Sequence, residues 1–439
     1  MFLSFILAIT QFLLITIIVF QEYRRKSIGV FLWAMLLILF GIMHLSTVIS
    51  NYHDYPMWVY NHASLFVILF CLFYMVTRKI LVPSRNTVCV SFNDWSKVNY
   101  QFITPLQKRF IYCTLFSLFV CVCYKIYELS QFSGSILDSS WGSKREMQQS
   151  QSYMNLGRII EPLYWYATSS VLLFMYWGNK KYAVISALLI LACVIVIRSR
   201  TQILPLLVAV IAYYIYNGRK LSIKKIVIMF SLGIISVIII YMIQIFRYYG
   251  SILNFITEFD NQVFFDTVFT NMSEGKGDIG LREVFYYFIF HDNQFENFSE
   301  GHTYLRMLMF FIPTQWSAGL KPPDFAISMG SALGTGDAGF STHPTLFGDC
   351  FANFGYWGFL MGIFWAIFVY WADKFANSLE INLKISSIII FANTYIIIGR
   401  GSVYNAYYWA VYGVLMMLFI YYILKRIPRN NNSKRVRIC

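Results

Sequence analysis

The sequence predicts an all-α polytopic membrane protein, with about eleven transmembrane helices and one long external loop between the eighth and the ninth. Three observations predict it. Of 439 residues, 58% are hydrophobic and only 13% charged, and the mean hydropathy is +0.57; a soluble surface needs about twice that charge. The apolar residues come in blocks of roughly 17–25, the length that crosses about 30 Å of hydrocarbon as a helix. Lysines and arginines gather at the ends of those blocks, as the positive-inside rule expects.

In chain order the blocks fall at roughly 2–20, 28–49, 57–77, 110–131, 160–177, 182–197, 201–217, 226–246, 346–371, 385–399 and 403–424. The first block, MFLSFILAITQFLLITIIVF, has no basic residue before it and Arg24, Arg25 and Lys26 after it. That order favours an uncleaved span with the N-terminus outside. Alternation then makes the C-terminus cytoplasmic and puts 23 of the 35 lysines and arginines in cytoplasmic segments. The expected division is residues 1–246 as spans one to eight, 247–345 as the external loop, 346–424 as spans nine to eleven, and 425–439 as a basic tail.

The net charge of +14 does not indicate nucleic acid, because no dense basic and aromatic stretch forms a nucleic-acid surface. The tail KRIPRNNNSKRVR is read as a solvated end near anionic membrane lipid. Five of the eight cysteines lie inside spans as small apolar residues. Cys121 and Cys123 lack metal-site spacing. No metal or cofactor is expected.

Residues 194–207, VIVIRSRTQILPLL, place Arg198 and Arg200 between two apolar runs. This orientation makes them a tight external turn, where the rule disfavours positive charge. A charge at bilayer depth costs about 2.5–3.5 kcal/mol on the insertion scale. Either an anionic ligand compensates or the side chains snorkel to lipid phosphates.

The loop 247–345 is far longer than an ordinary connection. Its stretches FITEFDNQVFFDTVF, REVFYYFIFHD and YLRMLMFFIPTQW carry near-helical apolar spacing but are too short or too charged to span. They are expected on the membrane surface or folded over the bundle, capping a cavity. Glycine-rich stretches separate them as mobile turns. No internal repeat of the transporter kind is present.

The segments GHTYLRMLMFFIPTQWSAGLKPPD (301–324) and GFSTHPTLFGDCFANFGYWG (339–358) resemble the bacterial O-antigen polymerases, the Wzy or oligosaccharide repeat-unit polymerase family. The resemblance rests on Gly301, Tyr304, Leu305, Ile312, Pro313, Lys321, Pro322, Asp349, Ala352, Asn353, Phe354 and Gly355. It covers about sixty residues closely; elsewhere only topology agrees. Thr314 stands where relatives commonly carry arginine, and Asp349 where glutamate is common.

The resemblance implies glycosyl transfer at the periplasmic face of the bacterial cytoplasmic (inner) membrane. A glycan on undecaprenyl diphosphate would pass to the non-reducing end of a new lipid-linked repeat unit, releasing undecaprenyl diphosphate. It implies undecaprenyl-diphosphate-linked oligosaccharides as substrates, and a chain-length regulator and a flippase as partners in the same pathway. Lys321, Tyr304 and Asn353 are carried over as substrate contacts.

The chemistry can also be argued from the residues. A diphosphate leaving group gains negative charge, which fixed cations near a low-dielectric boundary stabilise. Arginine suits that role because its planar fork stays protonated. Arg198, Arg200, Arg247, Arg306 and Arg400 are candidates, all expected on the external side. The bland readings are a helix-end charge for Arg247 and a loop carboxylate pair for Arg306. The acceptor hydroxyl needs a proton acceptor, and His343 and Asp349 are the candidates. Asp349 is expected in the first two turns of span nine, paired with an arginine; a structural ion pair there, and a hydrogen-bonded loop histidine at 343, are the alternatives.

Other functions compete. An O-antigen ligase shares the layout and donor. A lipid-linked oligosaccharide flippase is expected to have short loops. A polyprenyl-phosphate sugar transferase is expected to have acidic residues in its first external loop, where Asp54 stands alone.

Overall fold

The computed structural model describes residues 2–50, 54–82, 104–133, 151–197, 199–216, 252–266, 279–293, 301–312 and 343–426, with shorter stretches between them. Among the described residues the chain is helical and contains no strand. Eight helices are long and apolar enough to cross a membrane, so this is a multi-pass membrane protein. Ten of the eleven expected spans coincide with helix; the eighth, 226–246, lies largely outside the described residues.

The chain divides into two compact units. One comprises residues 1–90, 270–377 and 394–410; the other comprises 91–269, 378–393 and 411–439.

In the first unit, α1 (Phe2–Arg24) buries Ser4, Ala8, Gln11, Ile15, Ile18 and Glu22. Steps of four and three residues along the chain keep one seam on its neighbours, as in a coiled coil. The opposite face leaves Leu13, Ile17 and Phe20 exposed, which is what a lipid-facing surface requires. Helix α2 (Val30–Ser50) contains one π-helical stretch, Leu37–Ile42. A shift to i→i+5 bonding disturbs the helical ladder, and here the Gln11 side-chain amide donates to the Phe40 carbonyl. Helix α3 (Met57–Leu81) packs along α1.

Charged side chains fix how these helices end. Arg78 near the end of α3 donates through Nε to Glu22 of α1 at 2.9 Å. Through Nη2 it reaches Asp373 at 3.1 Å. Ser27 Oγ and the Ile28 amide also donate to Asp373, at 2.7 and 2.8 Å. These buried charges lose water but gain a multidentate network. Three odd-numbered spans, the first, third and ninth, thus bring their C-terminal ends to one face. Alternation of direction requires that.

Unit two holds α4 (Pro105–Ser133), α5 (Gln151–Thr168), α6 (Ser170–Tyr176), α7 (Lys180–Ile197) and α8 (Arg200–Tyr216). Expected span five is therefore two pieces, broken at Ser169, with Pro162 inside the first. The turn between α7 and α8 is as tight as the sequence suggested. Beneath it, buried Lys125 pairs with Glu161 at 2.9 Å and donates to Gln202 at 3.2 Å. Tyr164 lies under the same ammonium at 4.6 Å and donates to the Gln202 carbonyl. Within the loop, α9 (Ile252–Glu258) takes in the start of the FITEFDNQVFFDTVF stretch, and after Phe259 and Asp260 helix resumes over 261–266.

The ninth span departs from expectation. One continuous helix over 346–371 was expected. The chain instead forms α12 (Thr345–Phe354), a 3-10 stretch Gly355–Leu360, and α13 (Met361–Ser378). The cause is glycine: Gly355 has φ +56° and ψ −142°, and a Cβ at Gly358 would lie 2.3 Å from the Cys350 carbonyl oxygen. Only glycines permit that backbone.

Ring contacts show the direction of each half. Phe347 packs on Phe40 and Phe70, Phe351 on Phe66, and Tyr356 on His62. Thus α12 climbs toward the start of α3, covering about 13 Å over nine residues. Helix α13 then descends: Gly362 abuts the Phe70 carbonyl, and Asp373 meets Arg78. The pair is a re-entrant hairpin, and α12 begins level with the middles of α2 and α3.

Candidate functional site

The long loop reaches this hairpin through α10 (Glu283–Phe290) and α11 (His302–Leu308). Helix α10 inserts Phe285 among Phe40, Phe66, Phe347 and Phe351. Tyr286 shares a hydrogen bond with His44 Nδ1 at 2.6 Å, and Ser64 takes the other ring nitrogen at 2.8 Å. This part of the loop is built into the bundle.

Helix α11 is fastened to α12 by polar groups. Gly301, left-handed at φ +75°, donates its amide to the Asn353 carbonyl at 3.0 Å. The Thr303 amide donates to Asn353 Oδ1 at 2.9 Å, and its hydroxyl to Asp349 Oδ2 at 3.1 Å. Asn353 Nδ2 donates back to the Asp349 carbonyl at 2.7 Å and carboxylate at 3.2 Å. Asp349 is 1% exposed and Asn353 0%. The expected arginine partner of Asp349 is replaced by neutral Thr303 and Asn353, because α11 occupies the space beside it. Asp349 and Asn353 are both buried in this network, which fastens α11 to α12.

Helix α11 in turn carries the segment after it. His302 Nε2 donates to the Pro323 carbonyl at 2.6 Å, and Arg306 Nη1 donates to the Pro322 carbonyl. Burial holds the His302 imidazole below its usual pKa, which suits a neutral ring with a single donor. Lys321 Nζ donates to the Ile312 carbonyl at 2.7 Å. Tyr304 is directed inward, its hydroxyl 3.4 Å from Cys350 Sγ and its ring on Phe354 and Phe364. Pro313 and Thr314 lie outside the described residues.

The final pair of helices, α14 (Ile381–Arg400) and α15 (Val403–Arg426), turns at Arg400–Ser402. Arg400 was expected at the external surface. The structure puts it deeper: a Cβ on Gly399 would lie 3.3 Å from Met35 and 3.4 Å from the Leu32 carbonyl, in the first third of α2. Glycines at 399 and 401 allow this turn short of the outer end. The Gly401 carbonyl accepts the Thr345 amide at 3.1 Å. The His343 ring lies 3.6 Å from where a Gly401 Cβ would stand. Thr345 has φ +63°, a region costly for a β-branched residue and characteristic of functional sites. Arg306 stacks over Tyr404 at 4.4 Å, in the first turn of α15.

The fold therefore brings Arg306, His343 and Arg400 around one non-helical turn level with the middles of α2 and α3, and places Lys321 on the same strap. Arg200 opens α8 in the other unit; Arg198 and Arg247 lie outside the described residues. Thr303, Thr345, His302 and Tyr404 had no signal in the sequence. Glu22, Arg78, Asp373, Lys125 and Glu161 did have one, because charges embedded in apolar blocks are rarely idle. Among the described residues no group of three or more His, Cys, Asp or Glu side chains is placed to hold a metal.

No family model, curated protein or solved structure matches the chain.

Proposed function

We propose that this protein is a surface-polysaccharide polymerase, joining polyprenyl-diphosphate-linked repeat units on the external side of a bacterial cytoplasmic membrane. The observation that carries the reading is the cationic turn at Arg400–Ser402, recessed to the middle of the helices. Non-helical backbone at membrane depth is stable only where protein buries it or a water-filled cavity adjoins it. Arginines there suit a ligand with an anionic diphosphate next to a lipid tail.

In this reading Arg400 and Arg306 stabilise the charge developing on the diphosphate as its bond to the donor sugar breaks. The acceptor hydroxyl attacks that anomeric carbon, and its proton passes to His343. Undecaprenyl diphosphate leaves. Asp349 supports α11 and takes no proton from substrate. The resemblance of residues 301–324 and 339–358 to the O-antigen polymerases supports the same reaction.

The test is a gel of surface polysaccharide from a strain lacking this gene. A single band of core plus one repeat unit, with the ladder restored on complementation, is the expected result. Loss of every repeat-bearing band would point instead to a ligase or a flippase. External labelling of accumulated lipid-linked repeats separates those two.

A further inference from the structure

Away from the recessed turn, three stretches distant in sequence build one exposed aromatic patch. Trp58 at the start of α3 stacks against Phe290 at the end of α10, centroids 6.2 Å apart and planes 28° from parallel. The edge of Trp58 meets His62 at 5.3 Å. His62 Nδ1 shares a hydrogen bond with the Tyr356 hydroxyl at 2.8 Å. The three rings remain open: Trp58 is 43% exposed, Phe290 42% and Tyr356 46%.

An aromatic belt at the lipid interface is the ordinary reason for exposed tryptophan and tyrosine. The neighbours of this patch argue for water instead. Asp54, His291 and Asp292 are exposed in the segments that supply Trp58 and Phe290. Carboxylates beside hydrocarbon are costly. The backbone after α10 is also specialised: Asp292 and Asn293 both have positive φ, 49° and 59°, and Asn293 donates to the Phe351 carbonyl at 2.8 Å. That turn fixes the end of α10, and with it Phe290, to the top of the re-entrant hairpin.

Open ring faces edged by carboxylates and imidazoles match the surface of a sugar. A pyranose presents C–H groups to an aromatic face and hydroxyls to charged acceptors at its rim. Nucleotides and simple lipids fit less well, since among the described residues no lysine or arginine is placed over these rings to meet a phosphate.

We propose that Trp58, Phe290 and Tyr356, edged by His62 and Asp292, form a binding platform for sugar rings of a glycan chain. Tyr356 follows the end of α12 and Thr345 begins it, so the platform stands about 14 Å along that helix from the recessed turn. A short oligosaccharide covers that distance. The identity of the glycan rests on the polymerase reading; the presence of a saccharide site does not.

The probe is the repeat-unit oligosaccharide released by mild acid from the lipid-linked intermediate of the source strain. It carries no diphosphate and no lipid. Binding to the full chain in detergent is followed by tryptophan fluorescence and by saturation-transfer NMR. Wild type should bind, Trp58→Ala and Tyr356→Ala should each bind at least tenfold more weakly, and Trp58→Phe should recover most of the affinity. Size-exclusion profiles matching wild type show that each variant is folded; if Trp58→Ala is not, Tyr356→Ala carries the result. No binding by wild type, or unchanged binding by both alanine variants, overturns the platform. A gene deletion that leaves the polysaccharide ladder intact while these variants lose sugar binding overturns the polymerase and keeps the platform.

Discussion

The backbone carbonyl of Gly401 accepts the amide of Thr345 across 3.1 Å, joining the turn between the last two helices to the first residue of the re-entrant one. Both partners are unusual. Gly401 is followed by a helix start, and Thr345 is held at φ +63°. Their bond sets His343 beside Gly401, with two segments separated by over fifty residues meeting at a single non-helical point inside the bundle.

If that point is the transfer site, Arg400→Ala should cut polymer formation by about 10²–10³, the effect of removing one preorganised charge stabiliser. Protein abundance should hold. Arg306→Ala should do the same and also release Pro322. Radiolabelled polymer per unit of membrane protein measures both, and wild-type rates in the two variants together would remove the assignment.

Asp349 separates a positioning role from a catalytic one. Asp349→Asn keeps an oxygen for the Thr303 hydroxyl, so at least a third of wild-type polymerisation should remain. Asp349→Leu removes the acceptor of the Thr303 hydroxyl and one of the acceptors of Asn353 Nδ2 and should destabilise by about 1–3 kcal/mol per unsatisfied group. Were Asp349 the base, the asparagine variant would be as inactive as the leucine one.

Glu283, at the start of α10, lies outside the spanning helices. Burial pushes its carboxyl up to about 7 against the pull of Arg282, whose Nε is 3.3 Å away, and with a further push from Asp54. A folded-state pKa above the unfolded one means stability that is complete at low pH and is lost as pH rises toward 7. Thermal unfolding in detergent should therefore show a decline between about pH 4.5 and 7. In Glu283→Gln that decline should flatten; an unchanged slope would assign it to another group.

The network of Glu22, Arg78 and Asp373 gives a stability prediction. Arg78→Met leaves Asp373 buried without Arg78 and Glu22 with Arg25 alone at 3.1 Å, and breaking a buried pair in this way costs about 3–5 kcal/mol. The triple variant Glu22→Gln, Arg78→Met, Asp373→Asn should recover much of that loss. Melting temperatures across the series measure it, and a single variant as stable as wild type would mean water already reaches the carboxylates.

The sequence by itself determined the class of protein and where most of its apolar helices lie along the chain. Apolar length and the placement of lysine and arginine depend on the bilayer, a solvent whose thickness and charge preference act on each block separately. The start of α8 at Arg200 and the start of α12 after Pro344 were legible for the same local reason. What the tertiary structure decided was depth and partnership. Span nine read as one continuous apolar run, yet Gly355 and Gly358 fold it back because the Cys350 carbonyl leaves no room for a Cβ. Arg400 read as external because it follows an apolar helix; packing of Gly399 against the first third of α2 holds it short of the helix ends. Asp349 read as a charge needing a cation; the loop helix supplied the Thr303 hydroxyl and α12 itself the Asn353 amide. Each of these turns on which distant segment fills the space beside a residue, and residue spacing along one chain carries no record of that.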